Sequence, residues 1–168
     1  FRAAVVTPLI KKSSLPREDF SNYRPISNLS FISKLLERII NIRLTTHINS
    51  FSNFTPFQSA YRKFHSTETA LLRIQNDLLL GMDKQQVTAL VLLDLSAAFD
   101  TVDHKILLHR LQCWFGLSGN ALKLLSSYLS CRSQSVLVDG VLSSSLPLNT
   151  GVPQGSVLGP LLFTLYSS

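Results

Sequence analysis

Long hydrophobic runs are missing from this sequence of 168 residues. No apolar stretch approaches the ~18 residues that a membrane-spanning helix needs, and the longest candidate, at residues 89–93, ends at Asp94. The first residue is Phe1, and no basic segment followed by an apolar one comes after it. We therefore expect neither a membrane span nor a secretory leader, and we expect a soluble globular piece of a longer protein.

Cysteine is also scarce. Cys113 and Cys131 are the only two cysteines of the sequence, and neither lies in a CxxC or Cys/His ligand spacing. Of the four histidines, His104 and His109 are five positions apart, which is poor spacing for two ligands on one helix face. The sequence therefore gives no support for a zinc site, and two free thiols in an intracellular protein are the expectation.

Acidic residues are few, and the charge is unevenly distributed. The chain has 16 Lys and Arg against 10 Asp and Glu, with a formal net charge of +6. Residues 1–84 contain 12 of the basic and 6 of the acidic side chains, whereas residues 85–168 contain four of each. The basic first half indicates a polyanionic partner, and a solvated basic surface without a partner is the alternative that charge alone leaves open.

What is present is enough for one domain with a core, since 45% of the residues are hydrophobic and a domain has about 100–200 residues. Periodicity predicts helices over residues 31–48 (capped by Ser30), from Ser66 to about 81, over 103–111, over 118–129 and over 156–165. It predicts strands over residues 3–10, 87–93 (buried on both faces), 135–138 and 141–145, and loops over 11–25 and 51–64. This mixture predicts an α+β or α/β fold.

Three places could hold chemistry. Asp94 ends the apolar run, where a carboxylate could meet a hard cation such as Mg²⁺ or could simply be bonded by the following turn. The second place is the Gly- and Pro-rich bend at residues 151–159, whose following helix offers free amides to a phosphate. Within it Gln154 could bond a base or sugar edge, or could satisfy its own turn. Arg62 and Lys63 could pair with phosphates, although a solvated pair is the commoner case.

The order of these segments resembles the reverse transcriptase domain of LINE-type (non-LTR) retrotransposons, essentially end to end. The resemblance begins at residues 4–12. Residues 22–27, with residues 34–38 behind them, resemble the family's first fingers motif, and residues 58–62 followed by 65–71 resemble the second. Residues 92–104 (LLDLSAAFDTVDH) match motif A, and residues 151–160 (GVPQGSVLGP) match motif B. Four such motifs in order are a highly specific signal.

The resemblance implies an α+β right-hand polymerase fingers–palm segment, with an incomplete palm sheet flanked by helices. It implies a basic fingers-like segment at residues 1–84 and a partial palm at residues 85–168. The implied activity is RNA-directed DNA polymerisation by two-metal phosphoryl transfer. The implied partners are an RNA template, a DNA primer and deoxynucleoside triphosphates, with two Mg²⁺ ions in the complete enzyme and neither a membrane nor an obligate protein partner.

The resemblance also implies roles for individual residues, through their match to the motifs of the family. Asp94 would be a catalytic carboxylate and a metal ligand together with Leu95, and Phe99 would exclude the ribose 2′-hydroxyl. The other implied positions are Ser96, Ala97 and Ala98 along the triphosphate, Gln154 and Gly155 at the nascent base pair, Arg62 at the triphosphate, and Arg24 and Lys63 on nucleic acid.

The sequence departs from the family at two points. The second fingers motif has Ala60 and Tyr61 where Gly-Phe is usual, and Phe64 where a small residue is usual. The aromatic-Ala-Asp-Asp turn of motif C is absent from the 168 residues, so we expect no polymerase activity from this chain alone. The alternative is a non-catalytic nucleic-acid-binding remnant of a decayed element.

Overall fold

A computed structural model describes residues 2–50, 55–95 and 97–168. The described residues form one five-stranded sheet, five α-helices and a short 3₁₀ helix at Phe20–Asn22. The strands are β1 (Ala3–Ile10), β2 (Tyr23–Asn28), β3 (Arg132–Val138), β4 (Val141–Leu142) and β5 (Leu146–Leu148). The helices are α1 (Phe31–Ser50), α2 (Thr67–Asp83), α3 (His104–Cys113), α4 (Gly119–Leu129) and α5 (Gly159–Ser167).

The sheet combines two strands from residues 3–28 with three strands from residues 132–148. Its order is β2-β1-β3-β4, and β5 also pairs with β3. β1 runs parallel to β3, with Ala3 opposite Ser133, and all the other pairs are antiparallel. The sheet therefore takes strands from both sides of residue 84, and the division into a fingers-like and a palm segment at that point stays a prediction.

Strand β2 corrects the prediction of a loop through residue 25. Pro25 is part of this strand and lies opposite Pro8 of β1. Proline is tolerated at a sheet edge because no ladder partner needs its missing N–H. β2 is an edge strand, and at Pro8 the described pairing of β1 is with β2 alone.

The local signals are confirmed for α1, α2 and α3, whereas Ser118 at the start of α4 makes no capping hydrogen bond with its side chain. Ser30 Oγ accepts a hydrogen bond from the Ser33 amide at 3.2 Å at the start of α1, and Ser66 caps α2. Asp103 caps α3 by accepting from two backbone amides at 2.8 and 3.0 Å. Helix α5 begins three residues after the predicted start. Ser156 lies before the helix, and its Oγ accepts a hydrogen bond from the amide of Gly159, the first residue of α5, at 2.9 Å.

The hydrophobic core lies among the helices. Leucines of α3, α4 and α5 form it with Phe115 and the last turns of α1. The buried side of α1 consists of Ser33, Glu37, Leu44 and Ile48. Contrary to the expectation from periodicity, the apolar positions in the first half of α1 are largely exposed: Ile32, Leu35, Leu36 and Ile39.

The predicted buried strand at residues 87–93 is wrong. These residues form neither helix nor strand, and Leu92 and Leu93 are 80% and 90% exposed. A buried strand needs ladder partners on its edges and side chains over its faces, and the part of the chain that the structure describes supplies neither here. Helix α2 likewise has no buried residue. The mixed helix–sheet class is confirmed, and it is compatible with a fingers–palm segment.

No helix among residues 2–50, 55–95 and 97–168 combines the length and the apolar character needed to cross a bilayer.

Candidate nucleotide site

The turn before α3 is formed by local hydrogen bonds. The amides of Asp100 and Thr101 both donate to the Ala97 carbonyl, at 2.8 and 3.2 Å, and Ala97 has a left-handed φ of 53°. Asp103 then caps α3, and its pKa is lowered mainly by the hydrogen bond from the Ile106 amide. The residues of motif A after position 96 therefore form a tight turn that leads directly into a helix.

The bend before α5 packs against this turn through its backbone. The Val152 amide donates to the Phe99 carbonyl and the Gly151 amide donates to the Val102 carbonyl, both at 2.8 Å. Nε2 of His104 lies 2.7 Å from the Gly151 carbonyl oxygen, so the ring donates there. Gly151 has φ +86°, and a Cβ at this position would lie 3.0 Å from both Cα and the carbonyl oxygen of Asp100. The approach of the two segments therefore depends on glycine.

A side-chain contact extends this junction towards a cavity. Nε2 of Gln154 donates to Oδ2 of Asp100 at 3.3 Å. Partial burial raises the pKa of Asp100, and the hydrogen bond from Gln154 acts in the opposite direction. Both residues line a cavity of about 350 Å³ together with Ser27 and Arg132. The residues that line this cavity thus include a carboxylate, an amide, a hydroxyl and a guanidinium.

Strand β2 holds the other side of the bend. The Ser27 amide donates to the Gln154 carbonyl at 2.8 Å, and Ser27 is buried. Gly155 has φ +99°, and a Cβ there would lie 3.1 Å from the Ser27 carbonyl oxygen. Gln154 and Gly155 are thus fixed between β2 and the turn at residues 97–101.

An aromatic cluster connects the turn to the loop before α2. The half-buried ring of Phe99 lies edge-on to Tyr61 with centroids 6.3 Å apart, and 5.2 Å from the ring of Phe163 in α5. Tyr61, Arg62 and Lys63 line a second cavity of about 450 Å³ between α1 and α5. The structure therefore brings Phe99 next to the loop that contains Arg62.

Asp94 and Leu95 lie apart from these contacts. Both are exposed and line neither cavity. No group of three or more His, Cys, Asp or Glu side chains within the described ranges could hold a metal ion. Ser96 lies outside the described residues, Ala97 is exposed and Ala98 is half-buried, while Arg24 is an exposed residue of β2.

Residues 10–168 match the family model described as reverse transcriptase (RNA-dependent DNA polymerase). The chain belongs to the reverse transcriptase family. The family model confirms the reverse transcriptase assignment, and the mobile-element relatives described next confirm the resemblance to LINE-type retrotransposon domains.

Curated relatives of this reverse transcriptase chain are proteins of mobile elements. It is 36% identical over 95% of its length to the RNA-directed DNA polymerase from mobile element jockey of Drosophila melanogaster, and covers 17% of that protein. It is 35% identical over 96% of its length to the probable RNA-directed DNA polymerase from transposon X-element of the same species, covering 18% of it. The chain thus spans less than a fifth of the length of these relatives.

Sequence reasoning about the reverse transcriptase motifs missed several contacts of the site. The hydrogen bond between Asp100, in the turn before α3, and Gln154 was not anticipated. Ser27 and His104 each bond the bend at residues 151–155. The available signal was the position of Asp100 four residues before His104, across a turn and a helix start, because both residues then contact the same bend.

Proposed function

We propose that this chain is a nucleotide-binding part of a retrotransposon reverse transcriptase, which adds deoxynucleotides to a primer on an RNA template. The observation that supports the proposal most directly is the junction of motif A with motif B. Four hydrogen bonds, made by the amides of Gly151 and Val152 and the side chains of His104 and Gln154, join the two segments beside one cavity. A site that aligns a nucleotide needs walls of this kind, fixed before the substrate arrives.

In this proposal each wall has a separate role. Gln154 and Gly155 contact the nascent base pair, since β2 and the motif A turn hold them from two sides. The ring of Phe99 meets the sugar and excludes a 2′-hydroxyl, because Tyr61 and Phe163 restrict its movement. The amides near Ala97 and Ala98 follow the triphosphate.

Positive charge supplies affinity for the template and for phosphates. Arg24 and Lys63 are exposed, and Lys63 Nζ lies 4.8 Å from the centroid of the Phe64 ring. Arg62 is half-buried on the wall of the second cavity, where it would meet the triphosphate. Contacts between cations and phosphates release counterions, so binding should weaken steeply with salt.

Magnesium is part of the proposal for the whole polymerase. Oxygen ligands such as the Asp94 carboxylate and the Leu95 carbonyl suit this hard cation. The described residues contribute no cluster of three or more metal-ligating side chains, so a magnesium ion at Asp94 would need further ligands such as substrate phosphates. We therefore assign no metal-dependent step to this chain, and we expect no primer extension from it above an Asp94→Ala control.

The test of nucleotide binding uses calorimetry. The chain is titrated with the complementary deoxynucleoside triphosphate in the presence of Mg²⁺ and a dideoxy-terminated DNA primer on an RNA template. Gln154→Ala should weaken nucleotide binding about tenfold, as expected for loss of a positioned hydrogen-bonding group. The exposed Gln75→Ala variant is the matched control and should bind as the wild type does.

Discrimination between sugars tests Phe99. Phe99→Val should improve the affinity for the matching ribonucleotide relative to the deoxynucleotide, since a smaller side chain leaves room for a 2′-hydroxyl. Binding of template–primer without any nucleotide binding would contradict the proposal and support the non-catalytic remnant instead.

A further inference from the structure

Glu37 is a buried acid to which the site described so far gives no role. It belongs to α1 and is 1% exposed. Burying a carboxylate is costly unless hydrogen bonds or opposite charge replace its water. The structure supplies hydrogen bonds to Glu37 from the segment before α5 and from α4.

The first set of contacts joins Glu37 to the segment that follows Gln154 and Gly155. Its Oε2 accepts from the amides of Val157 at 2.7 Å and Leu158 at 3.3 Å. Leu158 is the residue before α5 and has no side chain that could cap the helix. Free amides and the helix dipole make this end favourable for a negative charge, so Glu37 caps α5 from another helix. Asn41, one turn later in α1, donates to the Val157 carbonyl at 3.1 Å.

The second set of contacts involves the other oxygen of the carboxylate. Oε1 of Glu37 accepts from the hydroxyl of Tyr128 in α4 at 3.2 Å. The guanidinium of Arg132 lies 4.8 Å from the centroid of the Tyr128 ring, and Nη1 of Arg132 donates to the Tyr128 carbonyl at 3.0 Å. Arg132 is 3% exposed. Burial, followed by the nearby Glu37 charge, raises the pKa of Tyr128, which therefore stays a hydrogen-bond donor.

These contacts bear on the cavity because Arg132 also lines it, beside Gln154. Strand β2 fixes the Gln154 carbonyl from the front of the bend, and Glu37 fixes the amides three and four residues later. We propose that Glu37 is a positioning residue for the Gln154–Gly155 bend, acting through Val157 and Leu158, with the Tyr128 hydroxyl bonded to its carboxylate and Arg132 packed on the Tyr128 ring. This inference rests on the proposed function, since the bend is there given the role of contacting the nascent base pair.

The test uses Glu37→Gln, which keeps the size of the side chain and removes its charge, and Tyr128→Phe, which removes one hydrogen bond and keeps the ring. Glu18→Gln is the matched control, since Glu18 is exposed. Amide hydrogen exchange is measured for residues 155–162 and for β1, and calorimetry gives the dissociation constants of the nucleotide and of template–primer.

For both Glu37→Gln and Tyr128→Phe we expect faster exchange at residues 155–162 with unchanged exchange in β1. We also expect nucleotide affinity to fall about five- to tenfold with unchanged affinity for template–primer. An equal rise of exchange in β1 would show a general role in stability and would overturn the inference. Nucleotide binding by the wild type that both variants retain would also overturn it, whereas a wild type that binds no nucleotide would instead refute the proposed function.

Discussion

Replacing Gly151 by alanine tests whether the close approach of the two motifs is real. The new Cβ would lie 3.0 Å from the Asp100 backbone, and the backbone of residue 151 would have to keep φ +86°. A left-handed conformation costs an L-residue about 1–2 kcal/mol. Relief of the clash separates the segments and weakens the hydrogen bonds from the amides of Gly151 and Val152, each worth about 1 kcal/mol. The sum is a loss of about 3 kcal/mol in the free energy of unfolding.

The control for this prediction is Gly140→Ala. Gly140 has φ +79°, and a Cβ there would meet nothing within 4 Å. Backbone strain alone then predicts a loss of about 1–2 kcal/mol. Urea denaturation followed by far-ultraviolet circular dichroism gives both values, read from shifts in midpoint at constant slope. Equal losses in the two variants would refute the contact between residues 99–100 and Gly151.

Three further outcomes follow from individual groups. Burial raises the pKa of Asp100 above its ordinary value of 3.8, so ionisation of this carboxyl opposes folding. Asp100→Asn should therefore stabilise the chain at pH 7 by less than about 1 kcal/mol. At pH 3, where the carboxyl is protonated, urea titrations should show no effect of the substitution. Hydrogen bonds from α3 amides lower the pKa of Asp103, so Asp103→Ala should destabilise at pH 7 and progressively less as the pH falls below 3.8; a constant loss would contradict the cap. Replacing Leu92 and Leu93 by lysine should reduce aggregation, measured by light scattering, and reduce the binding of a hydrophobic dye, since both side chains are exposed. For the same reason the free energy of unfolding should change by about 0.5 kcal/mol or less. A large loss of stability would mean that the two side chains are buried.

The helix boundaries were predictable because they depend on neighbouring residues. Ser66 accepts from an amide three residues later, and Asp103 accepts from amides two and three residues later. The hairpin around Asp139-Gly140 is equally local. Strand β2 and the unpaired segment at residues 87–93 were not predictable in this way, because a strand exists only where a distant segment pairs with it.

The candidate site was predictable only in part for the same reason. The motif order pointed to Phe99 and Gln154, and the structure brings both to the junction of the two motifs. The contact between Gln154 and Asp100 was hidden, because an aspartate in a turn already has a sufficient local explanation. Asp94 stays a prediction, since its exposed carboxylate is not part of this junction.

Helix α1 shows most clearly where periodicity stops being informative. Its apolar positions predict a helix correctly, yet Leu35 and Leu36 are about half exposed while Glu37 is buried. In the first half of the helix, hydrophobic burial alone would turn Leu35 and Leu36 inward, whereas the buried Leu44 and Ile48 of the last turns lie on the same side as Glu37. The carboxylate of Glu37 faces inward because it accepts hydrogen bonds from the amides of Val157 and Leu158, just before α5, and from a hydroxyl of α4. Leaving those amides without a partner in the interior would cost about 1–3 kcal/mol each. In the first half of α1 the buried side therefore carries a specific polar contact with the bend, which a pattern of apolar residues does not encode.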